Sequence, residues 1–395
     1  MSIAPLYQPP AKAKYQLRSK LGYFAFHQVS RFDYLMRHLR KTLPYLTARK
    51  LANLALNLAE WKFKTLVPRS MPPYLKVEST PVCQMSCTGC SHHDPDYKRQ
   101  FHPAMNLTLE DFKRVIDPVK DTLLGVTLSL RGEPLLNRNL PEIVGYAHQE
   151  GIATSFPTNL SVQMSERTAY EIVSSGLDAM YVSLDGTTEE TYARYRVGGD
   201  FQLVVKNVRL LAEAKKALQS KRPKLIWKLV VFDYNEGEME IVRRTHKSLG
   251  FDGYEFVPDW SGQAFASKKR IFNTRLVQKK RACFFPWNAM VITSEGDVKP
   301  CCHEPRDFAL GNAIRDGVRE VWRGKAYHEL RAGFATKTFG KNMHEECKAC
   351  IGYAEATGPS AQLVQIEERS NEPKQVRADE EIIARQSSEN SKLSL

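Results

Sequence analysis

Three cysteines, Cys83, Cys87 and Cys90, are spaced C-x3-C-x2-C, close enough for three thiolates to converge on one small inorganic cluster and leave its fourth iron without a nearby cysteine. Zinc is the competing reading, with His92 or His93 completing a tetrahedral shell of three sulfurs and one nitrogen. The other five of the eight cysteines, Cys283, Cys301, Cys302, Cys347 and Cys350, follow a long cysteine-free stretch. Four of those thiolates can close a second site, either an iron-sulfur cluster or a structural zinc. Two tight groups separated in this way favour metal over disulfides, as a reducing compartment would.

These residues need a scaffold, and the chain carries the pattern of one. From Tyr74, short β-rich runs alternate with longer amphipathic ones. Strands are expected at Leu75 to Thr80, Val126 to Leu130, Ile152 to Phe156, Ala179 to Leu184, Leu225 to Val231 and Tyr254 to Val257. Helices are expected between them at 108–119, 140–150, 165–175, 200–218 and 236–249. Such alternation makes parallel βαβ units whose loops gather at the carboxyl ends of the strands. The fold class is therefore α/β, a partial (βα)6 barrel with a helical N-terminal extension and a small C-terminal iron-sulfur domain. The expected boundaries are 1–70 for the basic extension, 71–262 for the barrel, 263–356 for the auxiliary domain and 357–395 for a polar tail with few large apolar residues.

The formal charge of +13 is concentrated in the extension. Residues 1–70 hold 13 Lys or Arg against Asp33 and Glu60, which leaves the rest of the chain near neutrality and gives no general nucleic-acid footprint. Neither a secretory signal pattern nor a run of 18 apolar residues is present, so a cytoplasmic location is expected. Between residues 20 and 67 the pattern is helical, with Leu51, Leu54, Leu58 and Trp61 on one side and Asn53, Asn57, Glu60 and Lys64 on the other. The plain expectation is that the apolar side packs on the barrel. The alternative is peripheral contact with the inner, anionic membrane surface, which would bring the active site close to the bilayer and suit a lipid-linked substrate.

The cysteine loop after the first strand resembles that of the radical S-adenosylmethionine (SAM) superfamily, whose C-x3-C-x2-C triplet leaves one iron for the amino and carboxylate groups of SAM. The resemblance continues at Arg131-Gly132-Glu133-Pro134, similar to the family's Gly-Gly-Glu-Pro element, and at Thr158, Asn159 and Ser183-Leu184-Asp185-Gly186, at the ends of later strands. By carry-over, Gly132, Glu133, Thr158, Asn159, Ser183 and Arg196 line the SAM pocket. The terminal cysteines resemble the SPASM and twitch extensions, which hold auxiliary 4Fe-4S clusters. This implies one auxiliary cluster on Cys283, Cys301, Cys347 and Cys350, with Cys302 a spare neighbour.

What the resemblance implies is reductive cleavage of SAM to a 5′-deoxyadenosyl radical, with the electron supplied by a donor such as flavodoxin or ferredoxin. The radical would take a hydrogen from a small hydroxylated or lipid-linked metabolite, which is oxidised or epimerised. A maturase acting on a ribosomal peptide and a zinc-stabilised, non-catalytic binding protein are the alternatives. Asp259, His303, Glu304 and Tyr327 are all available as acid or base, and none lies in a distinctive motif.

Overall fold

A computed structural model describes residues 41–258, 283, 285–302, 308–335 and 347. Its centre is an eight-stranded sheet in the order β6-β5-β4-β3-β2-β1-β7-β8. The strands are β1 (Tyr74–Val77), β2 (Gly125–Thr127), β3 (Ala153–Thr158), β4 (Ala179–Ser183), β5 (Lys224–Val231), β6 (Gly253–Pro258), β7 (Ala289–Ile292) and β8 (Val298–Lys299). The first six run parallel in chain order, each beside the next, as a partial barrel requires. The six expected strands are all present, with ends shifted by a few residues.

The helices that follow β1 to β5 are α2 (Leu109–Ile116), α3 (Leu140–Gln149), α4 (Glu166–Ser174), α5 (Phe201–Ala217) and α6 (Met239–Thr245), where α1 denotes the earlier Ala48–Phe63. Their starts are set by side-chain caps. Thr108, Ser165 and Asp200 each accept a bond from the backbone N–H three residues on, which satisfies a donor the helix itself leaves free. The core lies between helices and sheet: Leu75 and Val77 of β1 and Leu225, Trp227 and Leu229 of β5 bury there with Phe112, Val115 and Val208. Side chains alternate along a strand, so Lys76 and Lys228 point to the opposite, concave side.

β7 and β8 were not legible as strands. β7 pairs parallel to β1, with Ile292 opposite Val77, and β8 returns antiparallel through Gly296, whose positive φ of 92° suits glycine. The auxiliary region is thus a continuation of the barrel sheet. It is completed by α7 (Val318–Arg323) and α8 (Lys325–Ala335), tied by Arg331. That buried guanidinium donates to the carbonyls of Pro286, Leu66 and Trp322 and lies over the Trp322 ring at 4.3 Å.

α1 reverses the expected polarity. Lys50, Asn53, Asn57 and Glu60 form its buried face, while Leu51, Leu58 and Phe63 are 49%, 46% and 76% exposed. The surface it covers explains why. Asn53 bonds both backbone groups of Met71, Asn57 donates to the Trp287 carbonyl, and Glu60 accepts from the N–H groups of Arg69 and Ser70. Buried backbone groups at chain bends need polar partners, and an apolar helix face would leave them unpaired.

The same contacts fix which end of the barrel the extension covers. Asn53 reaches Met71 and Thr122, and Lys50 reaches Gly151, all just ahead of β1, β2 and β3. Tyr45 donates to Asp178 ahead of β4 and accepts from Arg222 ahead of β5. The extension closes the amino ends of the strands, whereas the cysteine triplet follows the carboxyl end of β1. A membrane held by α1 would therefore lie at the far end from the cysteine loop, contrary to the proximity expected from sequence.

Candidate SAM and iron-sulfur sites

The loop bearing Cys83, Cys87 and Cys90 is held on three sides. Lys98 donates to the carbonyls of Gln84 and Met85 and to the Ser86 hydroxyl, and Gln84 donates to Asn159 and the Ser161 carbonyl. The amides of Ser86 and Thr88 donate to the carbonyls of Val197 and Tyr195. All three thiols are free. Asn159 Nδ2 lies 3.8 Å from Cys83 Sγ, Arg196 Nη1 3.7 Å from Cys87 Sγ, and His92 Nδ1 3.8 Å from Cys90 Sγ. Burial pushes the Cys83 thiol up to about 12 and raises that of Cys87, where Arg196 opposes it. Loading a metal centre here must therefore displace protons.

His92, the fourth ligand of the zinc alternative, is buried with Nε2 on the Pro81 carbonyl at 2.8 Å, and His93 Nδ1 is bonded to the Ser86 carbonyl. Among the described residues no three His, Cys, Asp or Glu side chains are close enough to share one metal ion. Three thiols in one loop, the Asn159 amide and the Arg196 guanidinium facing sulfur and, among the described residues, no competing fourth thiol form a donor set that fits a 4Fe-4S cluster with one open iron.

The Arg131–Pro134 turn lies against this loop. A Cβ at Gly132 would run into the carbonyl oxygens of Thr80 and Val82, so only glycine permits the approach. Arg131 replaces a glycine without disturbing it, because its N–H and guanidinium both bond the buried carboxylate of Glu78, which also accepts from Ser294 N at 3.3 Å. The Glu133 carboxylate accepts from Thr158 Oγ1 at 2.6 Å, Asn159 N at 2.7 Å and Leu135 N at 3.1 Å. Burial raises its pKa to about 7 despite those three bonds. Arg196 is fixed by Asp185, which also accepts from the Val230 amide, and Ser183 is buried at the end of β4. Gly132, Glu133, Thr158, Asn159 and Arg196 are thus brought together around the cysteine loop. Ser183 belongs to the same strand end as Asp185.

Lys76, Tyr181, Lys228 and Glu255 on the concave side went unremarked in the sequence. The signal was available: each interrupts an apolar strand at an inward-facing position. Neither Lys76 nor Lys228 has a side-chain hydrogen bond or ion pair among the described residues. Burial pushes the Lys228 ammonium down, with Glu255 and Asp185 opposing.

Of the auxiliary cysteines, Cys347 is buried, Cys283 and Cys301 are half-buried and Cys302 is exposed. Cys350 lies outside the described residues, as do Asp259, His303 and Glu304. Tyr327 is wholly buried against Trp322 and Arg331, with its pKa raised by burial. It is a packing residue.

A parallel partial barrel with a cysteine triplet beyond β1 and further cysteines on an added hairpin defines a class of cluster-bearing α/β proteins. Residues 77–220 match the Radical SAM superfamily and residues 283–351 the iron-sulfur cluster-binding domain SPASM. The chain belongs to the radical SAM superfamily and carries a C-terminal SPASM domain, so SAM, a 4Fe-4S cluster and auxiliary iron-sulfur binding come with that membership.

Among curated relatives, the antilisterial bacteriocin subtilosin biosynthesis protein AlbA of Bacillus subtilis is 22% identical over 70% of this chain and 65% of its own length. A probable GTP 3′,8-cyclase of Methanococcus maripaludis is 29% identical over 34% of this chain and 43% of its own. The chain thus spans less than two thirds of these relatives. Streptococcus suis SuiB shares the fold at a TM-score of 0.55, with 15% identity over 85% of this chain and 84% of SuiB. SuiB bound to the precursor peptide SuiA gives 0.54, with 17% identity over 78% and 75%. No helix among the described residues is long and apolar enough to cross a membrane.

Proposed function

We propose that this chain is a radical SAM enzyme acting on a small hydroxylated metabolite that carries an acidic group, which it oxidises or epimerises. The observation behind this reading is the concave face, where Lys76 and Lys228 lie beside Tyr181, Ser183 and Glu255 and neither lysine closes an ion pair among the described residues, although Glu255 and Asp185 attract Lys228. An unpaired ammonium out of bulk water is costly, and a substrate carboxylate or phosphate removes the cost. A lipid-linked member of this class would enter from the carboxyl ends of the strands, away from α1.

In this reading Cys83, Cys87 and Cys90 hold the SAM cluster, and Gly132, Glu133, Thr158, Asn159, Ser183 and Arg196 shape the SAM pocket. Cys283, Cys301, Cys347 and Cys350 hold one auxiliary cluster. The bound cofactors supply the hydrogen-abstracting radical and a route for one electron. The protein's part is to orient the target carbon, keep water from it and hold charge in place. Arg196 keeps a cation beside Cys87, and the Glu133 bonds keep the end of β3 against the turn.

The test is incubation of the anaerobically reconstituted chain with SAM, dithionite and candidate metabolites, followed by mass spectrometry. Alanine at Cys83, Cys87 or Cys90 is expected to abolish 5′-deoxyadenosine formation, and its retention by any of the three overturns the cluster assignment. Lys76→Gln and Lys228→Gln are expected to raise KM at least about tenfold for the acidic substrate. A second reading, peptide maturation, draws on the likeness to AlbA and SuiB. Against it, the described residues ahead of β1 are helical and include no strand on which a leader peptide could pair. Turnover of a short peptide and of no small acid would replace the first reading with the second.

A further inference from the structure

Because α1 buries its polar side, it leaves an apolar face that is largely exposed among the described residues. Leu51, Leu58, Phe63 and Val67 are 49%, 46%, 76% and 51% exposed. The C-terminal end of that face is basic: residues 61–70 contain Lys62, Lys64 and Arg69 and no acid, and neither lysine is ion-paired among the described residues. An open hollow of about 410 Å³ is lined by Leu58, Trp61, Lys62 and Lys64. Lys64 takes a left-handed φ of 56°, where glycine is favoured, and lays its ammonium over the rings of Trp61 and Trp287 at 5.3 and 4.7 Å.

This corner adjoins the auxiliary site. Trp287 lies four residues after Cys283 and donates to the Thr65 carbonyl at 2.9 Å. Asn57 donates to the Trp287 carbonyl, and Arg331 ties Leu66 to Pro286. An apolar centre with a basic rim suits a small acidic protein, since the apolar core supplies contact and the charge speeds and orients encounter.

We propose that the outer face of α1 with Lys62 and Lys64 is the docking surface for an acidic one-electron carrier of the flavodoxin or ferredoxin kind, which exchanges its electron with the auxiliary cluster at Cys283. In the exchange the auxiliary cluster is oxidised by one electron and the carrier reduced by one, and no bond, proton or group moves. Only the position of Cys283 in that cluster is taken from the functional reading. A lipid surface would find the same apolar face, but nothing about a bilayer calls for basic residues gathered next to a cluster ligand.

The experiment uses the reconstituted full chain with bacterial flavodoxin and a 2Fe-2S ferredoxin as probes, measuring binding by interferometry and electron transfer by stopped-flow absorbance. Binding is expected to fall at least about tenfold between low and high salt, and by a similar factor in Lys62→Glu and Phe63→Asp. Transfer from the chemically reduced chain should slow in parallel, while dithionite-driven 5′-deoxyadenosine formation stays unchanged in both variants. Absence of carrier binding at low ionic strength, or variants that bind as well as the parent, overturns the proposal. So does binding to phosphatidylglycerol vesicles or self-association that the same variants abolish while carrier binding persists. The functional reading fails separately: Cys283→Ala that keeps its full complement of iron removes the auxiliary assignment whatever the carrier does.

Discussion

The barrel strands and the α1 helix are both built from alternating apolar and polar residues, yet they resolve the alternation in opposite senses. In β1 the apolar Leu75 and Val77 turn toward the helices and bury, while Lys76 turns away. In α1 the apolar Leu51 and Leu58 turn outward, and Asn53, Asn57 and Glu60 bury. What differs is the surface each element meets. The strands face side chains of other amphipathic elements, where the apolar sides match. α1 faces chain bends at the amino ends of the strands, a surface of unpaired N–H and C=O groups that only polar side chains can satisfy.

The sharpest way to break this comparison is to remove what each element buries. Leu75→Ala should cost roughly 2–5 kcal/mol, as large-to-small changes in a packed core do. Glu60→Ala should cost a similar amount, roughly 3–5 kcal/mol, because it strands the Arg69 and Ser70 amides and the Ser70 hydroxyl together. Leu58→Ala should change stability by less than about 0.5 kcal/mol. Guanidinium unfolding of the apo protein measures all three. If Leu58→Ala is the costly change and Glu60→Ala the neutral one, α1 packs as its sequence pattern suggested and the inversion is wrong.

A second measurement asks whether a buried carboxylate in the barrel behaves like the one under α1. The pKa of Glu133 is raised from the usual 4.5 to about 7, chiefly by burial. For an acid with a raised folded pKa, the neutral form is favoured by folding. Its contribution is therefore fullest below about pH 4.5 and is lost as pH rises through about 7. Over that window the parent protein should lose up to about 3 kcal/mol relative to Glu133→Gln, whose side chain does not ionise. Parallel unfolding of the two apo proteins at pH 5 and pH 8 checks it, and an equal pH dependence in both would mean that the Thr158 and Asn159 bonds hold the charge without penalty.

How much was legible follows from the same physics. Short β-rich runs marked all six barrel strands because each buries apolar side chains against helices, and the cysteine triplet was legible because its ligands are neighbours in sequence. Glu78 and Arg131 were not, since they meet across 53 residues. β7 was missed because it is only four residues long and is specified by pairing with β1, more than 200 residues away. The face of α1 was misread because periodicity reports that a helix is two-sided and says nothing of which side its neighbour needs. The concave-side lysines were visible as interruptions of apolar strands, but that neither closes an ion pair among the described residues is a fact of three dimensions.

The smallest expected effect lies where α1 ends. Lys64 takes φ 56° and ψ 41° at the C-cap, and a side chain there costs about 0.5–1 kcal/mol relative to glycine. Against that, its ammonium over Trp61 and Trp287 returns about 0.5–1 kcal/mol. Lys64→Gly removes both terms, so the melting temperature should stay nearly unchanged even though a charged, half-buried residue has gone. If the residue is there to stabilise the fold, the variant should instead lose clearly more than about 1 kcal/mol, because the rings of both tryptophans would be left without their cap. A neutral outcome in stability joined to a weaker grip on flavodoxin separates the two roles. It would show that a strained backbone position has kept its lysine for what lies outside the protein, as the exposed leucines beside it also suggest.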